Sequence, residues 1–209
     1  MKNKLINFWY YYKWHTIIAL LCAFTIAVSV AQCAFKTKYD YSLVLVLNDR
    51  AVTDKQASLL ADGLKNFGED VNGDGKINVF IMNCSYDENS ADKNNVLAIK
   101  QKLQMSAMGS AECILYITDD ASFEFCDSVK KDGGFFINKH LPDKNGKALN
   151  IADYAFIREF NSLFYNPVEP LYISERIVKG TIIEKNKSVE KYVNTSEKLL
   201  NNIILQRNS

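Results

Sequence analysis

The sequence predicts an α/β protein: one N-terminal transmembrane helix followed by a three-layer domain with a mostly parallel sheet. Three observations lead there. Residues 14–35 carry no formal charge. Three short runs rich in Val, Leu and Ile (41–47, 77–82 and 113–118) read as strands. Between them, apolar residues recur at helical spacing.

The N-terminal segment comes first. Residues 14–35 form an apolar run of 22, interrupted only by His15, Thr16, Thr25, Ser29 and Gln32. At about 1.5 Å per residue such a helix reaches roughly 33 Å, enough to cross the hydrocarbon layer. Ahead of it, Phe8-Trp9-Tyr10-Tyr11-Tyr12-Lys13-Trp14 makes an aromatic belt with a snorkelling lysine. Lys2, Lys4 and Lys13 all precede the span, and no carboxylate does. The positive-inside rule then puts residues 1–13 in the cytoplasm and the body outside it, as a single-pass protein of the cell membrane. The rival reading is a cleaved signal peptide, with small residues at Ser29-Val30-Ala31. A lipoprotein site at Cys33 is a poorer fit, because Gln32 stands where a small residue is wanted. The bulky aromatic flank favours the anchor. A stalk over 36–40 then leads to an extracytoplasmic domain at 41–209.

Within that domain, 41–47 (YSLVLVL) is nearly continuous in apolar residues, as a strand buried on both faces is. Thr53 and Gln56 have capping-box spacing, and Ala57, Leu60, Ala61, Leu64 and Phe67 follow at helical period before Gly68. Residues 77–82 give a second strand. Ser90 can cap a helix whose stripe is Val96, Ile99 and Leu103. Cys113–Thr118 is a third strand, and Asp119 or Asp120 opens a short helix ending near Gly133-Gly134. Strand and helix in alternation imply right-handed crossovers and a parallel sheet covered on both faces. Over 135–170 the aromatic residues must find a core, and a helix at about 151–164 is expected. Residues 172–178 read as an edge strand, antiparallel to its neighbour. Val189, Tyr192, Val193, Leu199, Leu200, Ile203 and Ile204 mark an amphipathic C-terminal helix.

Composition excludes several functions. Outside residues 1–35 the chain has 22 bases against 24 acids, a net of −2, with no basic stripe. That argues against nucleic acid. The body's cysteines, Cys84, Cys113 and Cys126, are odd in number and lack a CxxC, so buried free thiols are expected. His140 is the only histidine of the body, which rules out HExxH and multi-histidine zinc sites. No GxSxG, GxGxxG or GxxxxGK string occurs. A non-enzymatic role is therefore expected.

Two groups of residues remain as candidate sites. In an open parallel sheet, ligands settle at the carboxyl ends of the strands. Those ends supply Asn48, Asp49, Asn83, Asp87, Asp119 and Asp120, a set of acids and amides suited to a cation or a hydroxyl-rich solute. Strand ends also carry Asn and Asp simply because they open into loops and cap helices. The second group is the loop at 70–78. Asp70, Asn72 and Asp74 place side-chain oxygens at alternate positions, Lys76 would offer its carbonyl and Asn78 the next oxygen. That is the first half of a calcium loop. The acid expected at the twelfth position is replaced by Ile81. An Asx/Gly-rich turn uses the same residues. Calcium is the one cofactor suggested.

Over 70–78 the loop resembles those of EF-hand and dockerin proteins. The belt Phe8–His15, the apolar span and this loop together resemble uncharacterised single-pass membrane-anchored proteins of Clostridia and related Firmicutes, a likeness that implies no activity. The stretch 99–118 is similar to one lobe of the extracellular solute-binding proteins of ABC transporters, where a helix ending in Ser/Ala-Gly-Asp precedes the strand at which the ligand cleft opens. Here Ser110 replaces the Asp, and the body is about half a two-lobed binder. The resemblance implies a solute-binding or transporter-accessory module. The alternative is a protein–protein interaction or envelope-assembly module without a small-molecule ligand. Expected partners are the bilayer, a small solute or another membrane protein.

Overall fold

The computed structural model describes residues 2–34, 38–130, 134–167 and 170–207. The end of the apolar run at Phe35, residues 36 and 37 of the expected stalk and Gly133 lie outside them. The chain divides into two units, at residues 1–38 and 39–209.

Among the described residues the first unit contains one helix, α1 (Lys2–Ala34). Its stretch Tyr10–Val30 is long and apolar enough to cross a membrane, a property that signal sequences share. The Ser and Thr hydroxyls in this stretch bond back to the helix itself. Thr16 donates to the Tyr12 carbonyl, Thr25 to that of Cys22 and Ser29 to that of Thr25. Polar groups satisfied in this way need no water.

The second unit contains β1 (Tyr41–Val46), α2 (Asp54–Lys65), β2 (Val79–Asn83) and α3 (Lys93–Lys102). A π-helical turn, Leu103–Ala107, extends α3. Then come β3 (Cys113–Thr118), α4 (Asp120–Ser128), β4 (Ala148–Asn150), α5 (Ala155–Asn161), β5 (Tyr172–Glu175) and α6 (Val189–Arg207). The sheet order is β2-β1-β3-β5-β4. Leu43, Leu45 and Leu47 of the β1 segment join α2, α5 and α6 in one core; Val44 and Val46 join α3, its π-turn and α4 in another. Helices therefore cover both faces, and β1 is buried because each face of it has a core to fill.

The expected mostly parallel sheet is not what forms; the sheet is mixed. β1 pairs parallel with β2 and β3, but β5 runs antiparallel to both β3 and β4. The cause is the connection. The Ile151 amide bonds the Leu171 carbonyl, so β4 and β5 are the arms of a wide hairpin with α5 in its loop. A hairpin returns the chain antiparallel without a crossover. β5 thus runs in the expected direction but lies inside the sheet, with β4 as the outer strand.

Smaller differences have equally local reasons. The Thr53–Gln56 capping box forms as expected. α3 is capped by Asp92 rather than Ser90; the Ser90 hydroxyl instead accepts from the Asp92 amide one turn earlier. α5 is shorter than 151–164, because the residues before it belong to the hairpin arm. The aromatic residues of 135–170 divide between the two cores: Phe135 and Phe136 pack with Tyr116 and Phe123, while Phe156 and Phe160 join α2. Asp40 is buried against the domain rather than lying in a stalk.

Candidate functional site

The parallel strands β1 and β3 end side by side, and their last residues are tied together by one carboxylate. Asp119 is the N-cap of α4, its Oδ1 accepting from the Ser122 amide at 2.7 Å. Its Oδ2 accepts from the Asn48 amide, also at 2.7 Å. Capping a helix and holding the neighbouring loop uses both oxygens on main-chain donors.

Around this clasp lies a cleft of about 310 Å³, lined by Asn48, Asp49, Arg50, Asp119 and Asp120, with Pro167 and Pro170 opposite. The volume is at the lower end of the range for small-molecule sites. Arg50 forms a two-pronged ion pair with Asp49, at 2.9 and 3.1 Å. Its hydrogen bonds hold the Asp49 carboxyl below the usual carboxylate range. The same guanidinium donates to the Asn166 carbonyl and lies 5.3 Å from the centre of the Phe164 ring. Arg50 therefore links the β1 side of the cleft to the segment after α5.

On the α4 side, Lys144 reaches Asp120 at 2.6 Å and Glu124 at 3.0 Å. Its ammonium lies 5.2 Å from the ring centres of both Phe123 and Tyr172. Burial works against its charge, but the bonds to Asp120 and Glu124 prevail and raise the Lys144 pKa. Lys144 and Asn145 hold positive φ angles of 50° and 56°, a conformation that costs non-glycine residues energy.

The structure thus brings together Asn48, Asp49, Asp119 and Asp120. Asn83 and Asp87 do not line the cleft. The Asn83 amide donates to the Val52 carbonyl and its oxygen accepts from Ser85, while Asp87 accepts from the Asn89 amide in a turn. Asn83 ends β2, and Asp87 lies in the segment after it, whose backbone pairs with that of Asn48 to Arg50 while the Asp87 carboxylate turns to Asn89. Lys144 was not foreseen: it reaches Asp120 from a turn 24 residues further along, and no spacing signals that contact. Arg50 was visible beside Asp49, but its reach to Asn166 was not.

Chemically, the cleft presents carboxylates already bonded to donors. Asp119 is committed to the backbone, and Asp49 and Asp120 to cations. Groups held this way accept hydrogen bonds from hydroxyls more readily than they abstract protons.

The loop at 70–78 closes on itself. Asp70 accepts from the amides of Gly73 and Gly75, Asn72 from Asp74, and Asp74 from Lys76. The Asn78 side chain points to Asp74 at 3.5 Å. Gly73 and Gly75 take φ of 75° and 79°, which the turns require. Buried Asp40 fixes the loop from beneath, accepting from the amides of Val71, Asn72 and Asn78. These Asx turns explain the residue types in their own right. Among the described residues, no group of three or more His, Cys, Asp or Glu is gathered so as to hold a metal ion.

Cys84, Cys113 and Cys126 are buried and free. Burial pushes the Cys84 thiol up to about 11 and that of Cys126 to about 12. Such thiols are unreactive at neutral pH. His140 is exposed in a loop.

Compared with known proteins, the chain matches no family model, no curated protein and no solved structure.

Proposed function

We propose that this protein is a membrane-anchored binding module, with α1 as the anchor, residues 1–13 in the cytoplasm and the α/β domain outside. The cleft at the ends of β1 and β3 takes a small hydroxyl-bearing solute. The observation that carries this reading is the cleft itself: Asn48, Asp49 and Asp120 converge there, with the acids neutralised by Arg50 and Lys144. Neutralised acceptors suit uncharged hydroxyls, and the position is where open α/β sheets bind ligands. The likeness of 99–118 to a solute-binding lobe points the same way. The basic, aromatic flank ahead of an uncharged span supports the anchor and its direction.

The test is native mass spectrometry of the full chain in mild detergent, with simple sugars, polyols and free amino acids at millimolar concentration. One hydroxyl-rich solute is expected to add its mass one-to-one, with binding about tenfold weaker in Asp49→Asn or Asp120→Asn, as losing a charge-assisted hydrogen bond implies. A bare chain across the whole panel, or an adduct indifferent to both substitutions, contradicts the reading.

A second reading has its own observation. After α5, Leu163 and Tyr165 are exposed at 44% and 101%. Exposed apolar residues together favour a protein contact. In the same spectra, a companion subunit's mass in place of a solute would support the interaction module.

A further inference from the structure

The two outer strands of the sheet are finished differently. β4 is closed off: Asp143 and Ala148 exchange backbone hydrogen bonds, and the Asp143 carboxylate takes the Asn150 amide at 2.8 Å. β2 has no such cover among the described residues. The Asn78 carbonyl accepts from Asp40 and Tyr41, and the Cys84 amide donates to the Leu45 carbonyl. Residues of that parity face β1. Backbone groups alternate sides along a strand, so Val79 and Ile81 turn their N–H and C=O outward. Lys102 caps the Asn83 carbonyl at 2.8 Å and ends the open stretch. An open edge without proline or charge is a template for another strand.

We infer that β2 pairs antiparallel with β2 of a second copy, about a two-fold axis at Phe80. This arrangement satisfies the open groups of Val79 and Ile81. Val79 of each copy faces Ile81 of the other, giving four hydrogen bonds and one continuous ten-stranded sheet. Phe80 then faces its own counterpart in a non-hydrogen-bonded pair, where side chains approach most closely. Phe80 is 37% exposed, and Tyr39, 47% exposed, lies against it at 5.0 Å between ring centres. Both are apolar surfaces that a second copy would cover.

Charge fixes the identity of the partner. Beside β2 runs a groove of about 360 Å³ whose α2 wall has Asp54 at one end and Lys65, which also pairs with Asp62 at 2.7 Å in an exposed ion pair, at the other, with Ala57, Ser58 and Ala61 between. A two-fold axis reverses the neighbouring α2, so each acidic end meets a basic end. The small central side chains leave room for the approach. A second copy is therefore complementary in backbone, apolar surface and charge at once. The pairing is independent of the solute reading, since the groove and the strand-end cleft share no lining residue.

The test uses the full chain in detergent, in a background with Cys22→Ser and Cys33→Ser. Light scattering at tens of micromolar is expected to give a dimer. Phe80→Lys, which opposes two like charges on the axis, should weaken it about a hundredfold. Asp54→Lys or Lys65→Asp alone should weaken it about tenfold, and the two together should restore it. Phe80→Cys should oxidise to a dimer band, since such pairs lie within disulfide reach. A wild-type monomer overturns the inference. So does a dimer that survives Phe80→Lys, which would mean contact through α1, or one in which Phe80→Cys stays uncrosslinked.

Discussion

Three buried charges show how single residues shape this domain. Asp40 is 6% exposed yet accepts three backbone amides of the 70–78 loop, so its charge is stabilised where it serves as a clasp. Arg176 is 3% exposed, lies 4.9 Å from the Phe135 ring centre and points one nitrogen at the carbonyls of Ala107 and Ser110. The π-turn that extends α3 ends there, so a cation meets the negative end of a helix. Glu175 is less well served. Lys139 lies 2.8 Å from its Oε2, but off the line of a good hydrogen bond, and that oxygen has no aligned donor. Burial lifts the Glu175 carboxyl above its ordinary 4.5, and Lys139 only partly offsets the rise. A carboxyl with a raised folded pKa binds more protons folded than unfolded, so stability falls as pH rises through that window. Glu175→Gln removes the titration and leaves Lys139 its contact with Glu197. Urea unfolding followed by circular dichroism should therefore show the wild type losing more stability than Glu175→Gln as pH climbs from 4.5 toward 7. Parallel pH profiles would count against a strained Glu175.

At the scale of elements, α2 and α5 meet closely at one glycine. A Cβ added at Gly63 would lie 2.4 Å from the Cβ of Phe156, whose ring is held 5.3 Å from Phe67 and 5.9 Å from Tyr154. In an exposed helix, Gly→Ala gains about 1 kcal/mol. Here overpacking should outweigh that gain and leave Gly63→Ala less stable by about 1–2 kcal/mol, read from the urea midpoint. A more stable variant would show that the helices part easily. What the sequence reveals follows from this packing. β1 and β3 are legible because two cores bury them, so their residues are nearly all apolar. α2 and α6 are legible because each has one buried stripe. β4 is three residues long and leaves no period, and β5's place between β3 and β4 depends on a hairpin whose arms pair at Asn150 and Tyr172, 22 residues apart. The cleft was half visible for the same reason. Asn48, Asp49, Asp119 and Asp120 follow the adjacent strands β1 and β3, whereas Lys144 arrives through a strained turn that only the tertiary fold positions.

At the scale of the whole molecule, the central question is whether α1 anchors the domain in a membrane and on which side. α1 has the length and composition to span, and the hydroxyls of Thr16, Thr25 and Ser29 are satisfied within the helix. The domain carries three thiols, each buried and pushed to a higher pKa by that burial, and no bridge joins them. They should ignore a maleimide, which makes cysteine labelling a clean reporter. The decisive measurement is labelling of intact cells with a membrane-impermeant maleimide, in a background lacking Cys22 and Cys33. Lys187→Cys, exposed ahead of α6, reports on the domain, and Asn3→Cys reports on the N-terminus. We expect Lys187→Cys to label in intact cells and Asn3→Cys only after lysis, with both proteins retained in carbonate-washed membranes. Labelling of Asn3→Cys alone in intact cells, or release of the domain into the soluble fraction, would contradict an anchored extracytoplasmic module.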